Sequence, residues 1–346
     1  MASACYNDFA MPKISPNFFK FKLFQPAIAA GVLLCGALLL SGCGLTPTEL
    51  KKIRPPSLPQ PKVPVLKAGE LPTITVIPGG SESYWNQAKL GAEAAGKKFG
   101  ARIEWKVPVG QIPNRNEVAV YVAQKEAVEE TVETSQGLVV APVDSTKMMQ
   151  PVGKAARAGV SVVAFDRDVF TIQNKLSFVH NDDEASGVLA AQQVGRLLGT
   201  RYKVGLFPAL EKRRNEAAQR ISAFETAMHS KFPDAELTKW EQLPQVIDED
   251  VVFTSEEYRS LLSRDFQSVW PKLSVVAFGA DEDLLKAIQK GKLSALISPD
   301  YYQMAFQSVK AIMDFRATKQ MPPREIKIAP RVLTENTAKP TNRSTP

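Results

Sequence analysis

The chain has 346 residues, 44 % hydrophobic and 23 % charged, a balance that excludes wholesale disorder and leaves room for two lobes around real cores. The formal net charge is +7, but residues 1–70 hold eight basic against three acidic side chains, so the remainder is nearly neutral and a nucleic-acid face has no support from charge. All three cysteines, Cys5, Cys35 and Cys43, lie in the first 43 residues, and His180 and His229 are the two histidines, which excludes a disulfide framework or a Cys- or His-rich metal centre in the rest.

The first feature in chain order is an apolar run over residues 27–40, preceded by Lys13, Lys20 and Lys22. Its fourteen residues are short for a transmembrane helix of about 20 and suit the hydrophobic region of a signal peptide. The run ends in Leu40-Ser41-Gly42-Cys43, which resembles the lipobox of bacterial lipoproteins, whose cysteine becomes the lipidated first residue of the mature chain. Residues 1–42 are therefore expected to be a lipoprotein signal peptide starting at Met1 or Met11, with Cys43 as the attachment to the bilayer. An ordinary signal peptide or anchor with an incidental cysteine is the alternative. Residues 43–72 follow with seven prolines, from Pro47 to Pro72. Such a stretch cannot bury a core and favours an extended polyproline-II tether of about 3.1 Å per residue.

From Leu71 onward, β-rich runs alternate with helical stretches. Residues 73–77 read as a strand. Residues 83–99 place Trp85, Ala88, Ala92, Ala95 and Phe99 on one helical face, with Gly100 where a C-terminal cap belongs. A strand at 102–107, a helix within 117–134, a strand at 138–141 and a helix near 147–158 come next. Residues 160–165 are apolar except for Ser161, as in a parallel strand buried on both faces. The alternation resumes with strands at 176–179 and 203–207 and helices at 184–198 and 215–231. Strands follow at 237–240, 251–253 and 273–278, with helices near 256–264 and 282–289, then a strand at 293–297 and a helix at 302–315. Repeated βαβ units of this kind predict an α/β fold of two doubly wound lobes joined by a hinge, with a ligand site at the strand ends between them. The expected division is 73–175 plus 300–329 for the first lobe, 176–299 for the second, and a mostly unstructured tail at 330–346.

The residues at those strand ends resemble the type I periplasmic binding proteins of the ribose- and galactose-binding kind, over about residues 73–328. Tyr84-Trp85 stands where that family stacks an aromatic pair on its sugar, although Trp85 also reads as the first core residue of its helix. Phe165-Asp166-Arg167 matches the family's Asp-Arg clamp on sugar hydroxyls, a pairing of carboxylate and planar guanidinium suited to vicinal diols. The family's interlobe crossing is similar to Val179-His180-Asn181-Asp182-Asp183, in which Asp183 either faces ligand or caps the following helix. Arg220-Ile221-Ser222-Ala223-Phe224 matches the family's Arg-x-x-Gly-Phe, whose arginine meets the sugar. In the second lobe the pattern changes. Glu256 stands in place of a ligand-binding Asn, Gly279 in place of an Asp, and Pro299 in place of a Gln.

The resemblance implies a lipid-anchored, extracytoplasmic solute-binding protein, at the cell surface or in the periplasm. It would act as a monomer without a cofactor, closing on a small polar ligand such as a sugar and delivering it to an ABC permease. The second expectation is a sensor subunit that docks a membrane signalling partner. The sequence holds no phosphate-binding Gly-x-x-x-x-Gly-Lys-Ser/Thr loop, no Gly-x-Ser-x-Gly elbow and no His-Glu-x-x-His zinc helix, so an enzyme is not expected. Metabolic labelling with a fatty acid should tag the wild-type chain and leave Cys43→Ala untagged. Equal labelling of both would remove the lipid anchor from this reading.

Overall fold

The computed structural model describes residues 64–80, 83–108, 117–169, 175–198, 203–207, 214–242, 244–254 and 272–338. All of them belong to the compact unit Gln60–Pro346. The expected signal peptide, Cys43, most of the tether, Glu256 and the helix expected near 256–264 lie outside these residues.

The first sheet is built from β1 (Thr73–Ile77), β2 (Arg102–Trp105), β3 (Gly137–Val140), β4 (Ser161–Phe165), β5 (Lys175–Asn181) and a late strand, β11 (Glu325–Ile328). Its order is β2-β1-β3-β4-β5-β11, and all five pairings are parallel. The strands' alternation sorts their side chains onto two covered faces. Val139, Val163 and Phe165 pack under α1 (Trp85–Phe99) and α7 (Tyr301–Thr318). Leu138, Val140, Val162 and Ala164 pack under α2 (Glu117–Thr134) and α3 (Met149–Arg157). Gly100, at φ 73°, ends α1 as its sequence position predicts.

The second sheet repeats this order as β7-β6-β8-β9-β10-β12, from β6 (Lys203–Phe207), β7 (Glu236–Lys239), β8 (Val251–Thr254), β9 (Ser274–Phe278), β10 (Ala295–Ser298) and β12 (Arg331–Leu333). Only β12 runs antiparallel, against β10. One face is covered by α4 (Asp183–Leu198) and α5 (Arg214–Lys231), the other by α6 (Glu282–Gln289). A short helix, α8 (Glu335–Ala338), closes the described chain.

Two expectations about boundaries change. β5 pairs with β4 in the first sheet, so the first lobe runs on to Asn181 and the second begins with a helix rather than a strand. The stretch from 330, expected to lack structure, supplies β12 and α8. The chain therefore passes between the sheets at residues 181–183, 298–301 and 328–331. These passages are tied side by side: the Asp182 N–H donates to the Ile328 carbonyl at 2.8 Å, and Arg331 Nε lies 3.4 Å from Asp300 Oδ2.

Each lobe has one tight helix crossing where a glycine is required. A Cβ at Gly91 of α1 would sit 2.1 Å from the Tyr302 carbonyl oxygen of α7, and one at Gly187 of α4 would sit 2.1 Å from the Arg220 carbonyl oxygen of α5. On an exposed helix Gly→Ala stabilises by about 1 kcal/mol. Gly187→Ala should instead destabilise by about 1–3 kcal/mol, because backbone must move. Urea denaturation read by circular dichroism gives the sign.

Candidate functional site

The first lobe's half of the site stands at the carboxyl end of β4. After buried Phe165 the chain turns sharply, and Asp166 takes φ 63°, a left-handed conformation that an aspartate tolerates better than most residues but still at a cost. The Asp166 N–H is held by the Val179 carbonyl at 3.0 Å, and its Oδ1 accepts from the Tyr301 hydroxyl at 3.2 Å. Arg167 Nη1 donates to the Val143 carbonyl at 3.1 Å, while its Nε is buried with no hydrogen-bond partner among the described residues. Beside them Tyr84, Trp85, Phe165 and Tyr301 form one aromatic cluster. Tyr84 lies 4.7 Å from Tyr301, and Trp85 meets Tyr301 and Phe165 edge-on at 5.2 and 5.6 Å.

The second lobe's half centres on a buried ion pair. Arg220 of α5 and Asp183 of α4 are 2 % and 6 % exposed, and Arg220 Nε and Nη2 both donate to Asp183 Oδ1, at 3.1 and 2.7 Å. The guanidinium lies over the Phe278 ring, 3.3 Å from its centre, which adds a cation–π contact. Asn181 Nδ2 donates to the same carboxylate oxygen at 3.1 Å and to Ser186 Oγ at 2.9 Å, and its own Oδ1 is buried without a partner among the described residues. Burial pushes the Asp183 carboxyl above its ordinary range, with Arg220 and Asn181 pulling against that.

In sheets of this order the ligand crevice opens where neighbouring connections leave in opposite directions, between β1 and β3 and between β6 and β8. In the first lobe Gln124 of α2 stitches that point, donating to the Pro78 and Ala141 carbonyls at 3.0 and 2.8 Å and accepting from the Val143 N–H at 2.9 Å. In the second lobe Thr254 ends β8 fully buried, and its Oγ1 has no partner among the described residues. Ala280, just past β9, packs against the first lobe's core cluster, a contact between the two lobes. Among the described residues no group of three His, Cys, Asp or Glu side chains is placed to hold a metal ion.

The sequence-predicted residues thus fall into two groups. Tyr84, Trp85, Asp166 and Arg167 come together in the first lobe, and Asp183 and Arg220 in the second; Glu256 lies outside the described residues. Trp85 is 4 % exposed and belongs to the core, which leaves half-buried Tyr84 as the more accessible ring. Asp183 and Arg220, read separately from two motifs, engage each other. Trp240 is buried over Gly205 with Nε1 donating to Glu249 at 3.0 Å, and belongs to the second lobe's core. Sequence reading missed Tyr301, Phe278, Asn181 and Thr254 as neighbours of these groups. Asn181 lay within a motif already quoted, and Phe278 ends the strand expected at 273–278; no spacing signal marks Tyr301 or Thr254.

Residues 74–319 match the family model of the periplasmic binding protein domain. Among solved structures, the chain resembles the sugar-binding protein of a sugar ABC transporter from Bacillus halodurans, at 15 % identity and TM-score 0.65, covering 77 % of this chain and 98 % of that one. AraP, an arabinose-binding protein from Geobacillus stearothermophilus, is similar at 15 % identity and TM-score 0.65 over 78 % of this chain and 98 % of its own. The XylFII–LytSN complex is similar at 18 % identity and TM-score 0.56, over 78 % and 99 %. No curated protein matches the sequence.

Removing one member of a buried ion pair strands the other's charge, at about 3–5 kcal/mol, whereas replacing both by apolar side chains of similar volume is often neutral. Asp183→Ala should therefore lower stability by about 3 kcal/mol or more. Asp183→Leu together with Arg220→Met should recover most of that loss. Equilibrium urea denaturation of the three chains measures both effects.

Proposed function

We propose that this chain, which belongs to the family of the periplasmic binding protein domain, is an extracytoplasmic receptor that closes its two lobes on a small polar ligand, a sugar or sugar-like compound, and delivers it to an ABC importer. Cys43 would anchor it to a membrane through lipid. One observation carries the ligand reading. Arg167 Nε, Asn181 Oδ1 and Thr254 Oγ1, all buried and without partners among the described residues, stand at the carboxyl ends of β4, β5 and β8, in both sheets. Such orphaned atoms call for a partner that donates and accepts over a short span, which a polyhydroxylated molecule does.

Mechanism follows from the same placement. Arg167 and Asp166 belong to the first sheet and Thr254 to the second, so both sets of groups are satisfied together only when the lobes close. Closure is then favoured by the ligand's additional bonds in that state, with no chemical step required. Asp183 holds Arg220 in position and limits how its guanidinium can turn toward a ligand. A second reading, a sensing subunit that docks a signalling partner, is favoured by the likeness to XylFII–LytSN, a chain solved in a complex.

A thermal-shift screen of sugars and polyols should find at least one that raises the melting temperature by about 5 °C at saturation. D-Ribose, D-galactose and D-glucose should bind more weakly than about 100 μM, because Gly279 and Pro299 supply no side-chain acceptor. For the ligand found, Asp166→Asn should weaken binding by about tenfold or more in calorimetry. A screen with no stabilising compound would count against the sugar reading.

A further inference from the structure

Tyr301 joins two parts of the molecule that the site and the fold otherwise keep separate. Its ring is 6 % exposed and wedged against Tyr84 and Trp85, and its hydroxyl donates to Asp166 Oδ1 at 3.2 Å. It is also the first residue of α7, directly after the passage from β10 in the second sheet. The residue before it, Asp300, caps α7 by accepting from the Gln303 N–H at 3.0 Å and lies 3.4 Å from Arg331 of β12. A continuous line of contacts therefore runs from Asp166 through Tyr301 and Asp300 to the second sheet. At its near end Asp166 sits at φ 63°, a conformation that persists only where its surroundings hold it. The Val179 carbonyl holds its backbone and Tyr301 its side chain.

We propose that Tyr301 is a positioning residue that fixes the Asp166 carboxylate and couples it to the interlobe passage at 298–301, so that engagement of Asp166 is felt at the hinge. This rests on the reading that Asp166 meets the ligand. The coupling itself is a property of the protein alone and is measured without any ligand. A hydroxyl bonded to a carboxylate is a charge-assisted contact, stronger than a neutral one, and it links one end of α7 to a turn of β4 in both directions.

Site-resolved amide hydrogen exchange of the whole chain tests this. Tyr301→Phe keeps the ring and removes the hydroxyl; exchange at the Asp166 amide should rise about five- to tenfold. Asp166→Gly keeps the left-handed conformation and removes the acceptor. Its effect should appear at the far end, as a comparable rise at the Gln303 and Met304 amides, which are held by Asp300. Tyr302→Phe, on the neighbouring residue, should change neither. The amides of Val204 and Val276 in the second sheet should stay as in the wild type. No change at Gln303 and Met304 in Asp166→Gly would overturn the coupling, and so would a uniform rise through both sheets, the mark of general destabilisation. Neither result bears on whether a sugar binds, and a sugar screen without hits leaves the exchange result standing.

Discussion

Residues 181–183, 298–301 and 328–331 carry the chain between two sheets of the same strand order, and the site depends on how those passages are bound to one another. They lie side by side. Asp182 bonds to Ile328, Arg331 reaches Asp300, and β12 pairs with β10 across Ser298 and Arg331. Passages bonded laterally can bend together while resisting independent twist, which suits closure about a hinge. The residues that lead out of them also touch the candidate site. Tyr301 follows one passage and bonds to Asp166; Asp183 follows another and bonds to Arg220.

The Asp183–Arg220 pair illustrates what burial does to a polar contact. With both residues at 6 % exposure or less, each ion has lost most of its hydration, and their attraction roughly offsets that loss. The pair therefore contributes more to geometry than to net stability. It also fixes the start of α4 against α5, at the same crossing where Gly187 lets the two backbones approach closely. Phe278 lies against the guanidinium and adds a cation–π contact to the pair.

Much of this was legible in the sequence, and the exceptions have physical causes. The central strands β1, β3, β4, β6, β8 and β9 are apolar on both faces and stand out without any tertiary information. β5 was readable as a strand but not as the one after which the chain first leaves its sheet, since a strand followed by a helix looks the same whether or not the chain has changed sheets. β11 and β12 are edge strands with exposed Glu325, Lys327 and Arg331, a pattern close to that of a polar loop. At the site, local motifs exposed Asp166, Arg167, Asp183 and Arg220. The bond from Tyr301 to Asp166 spans 135 residues, and that from Arg220 to Asp183 spans 37. Neither span leaves a periodic trace.

The strand pairing has one more consequence, for how motion of this molecule could be observed. The described chain enters through β1, one strand in from an edge of the first sheet, and the Pro64 carbonyl before it is held by Gln136 in the same lobe. It leaves through β12 and α8, where the Ala338 carbonyl is held by Gln289 of α6 in the other lobe. The two ends of the folded body thus ride on different halves. A fluorescent donor joined ahead of residue 64 and an acceptor joined after residue 338 would need no label placed in the cleft to report its opening.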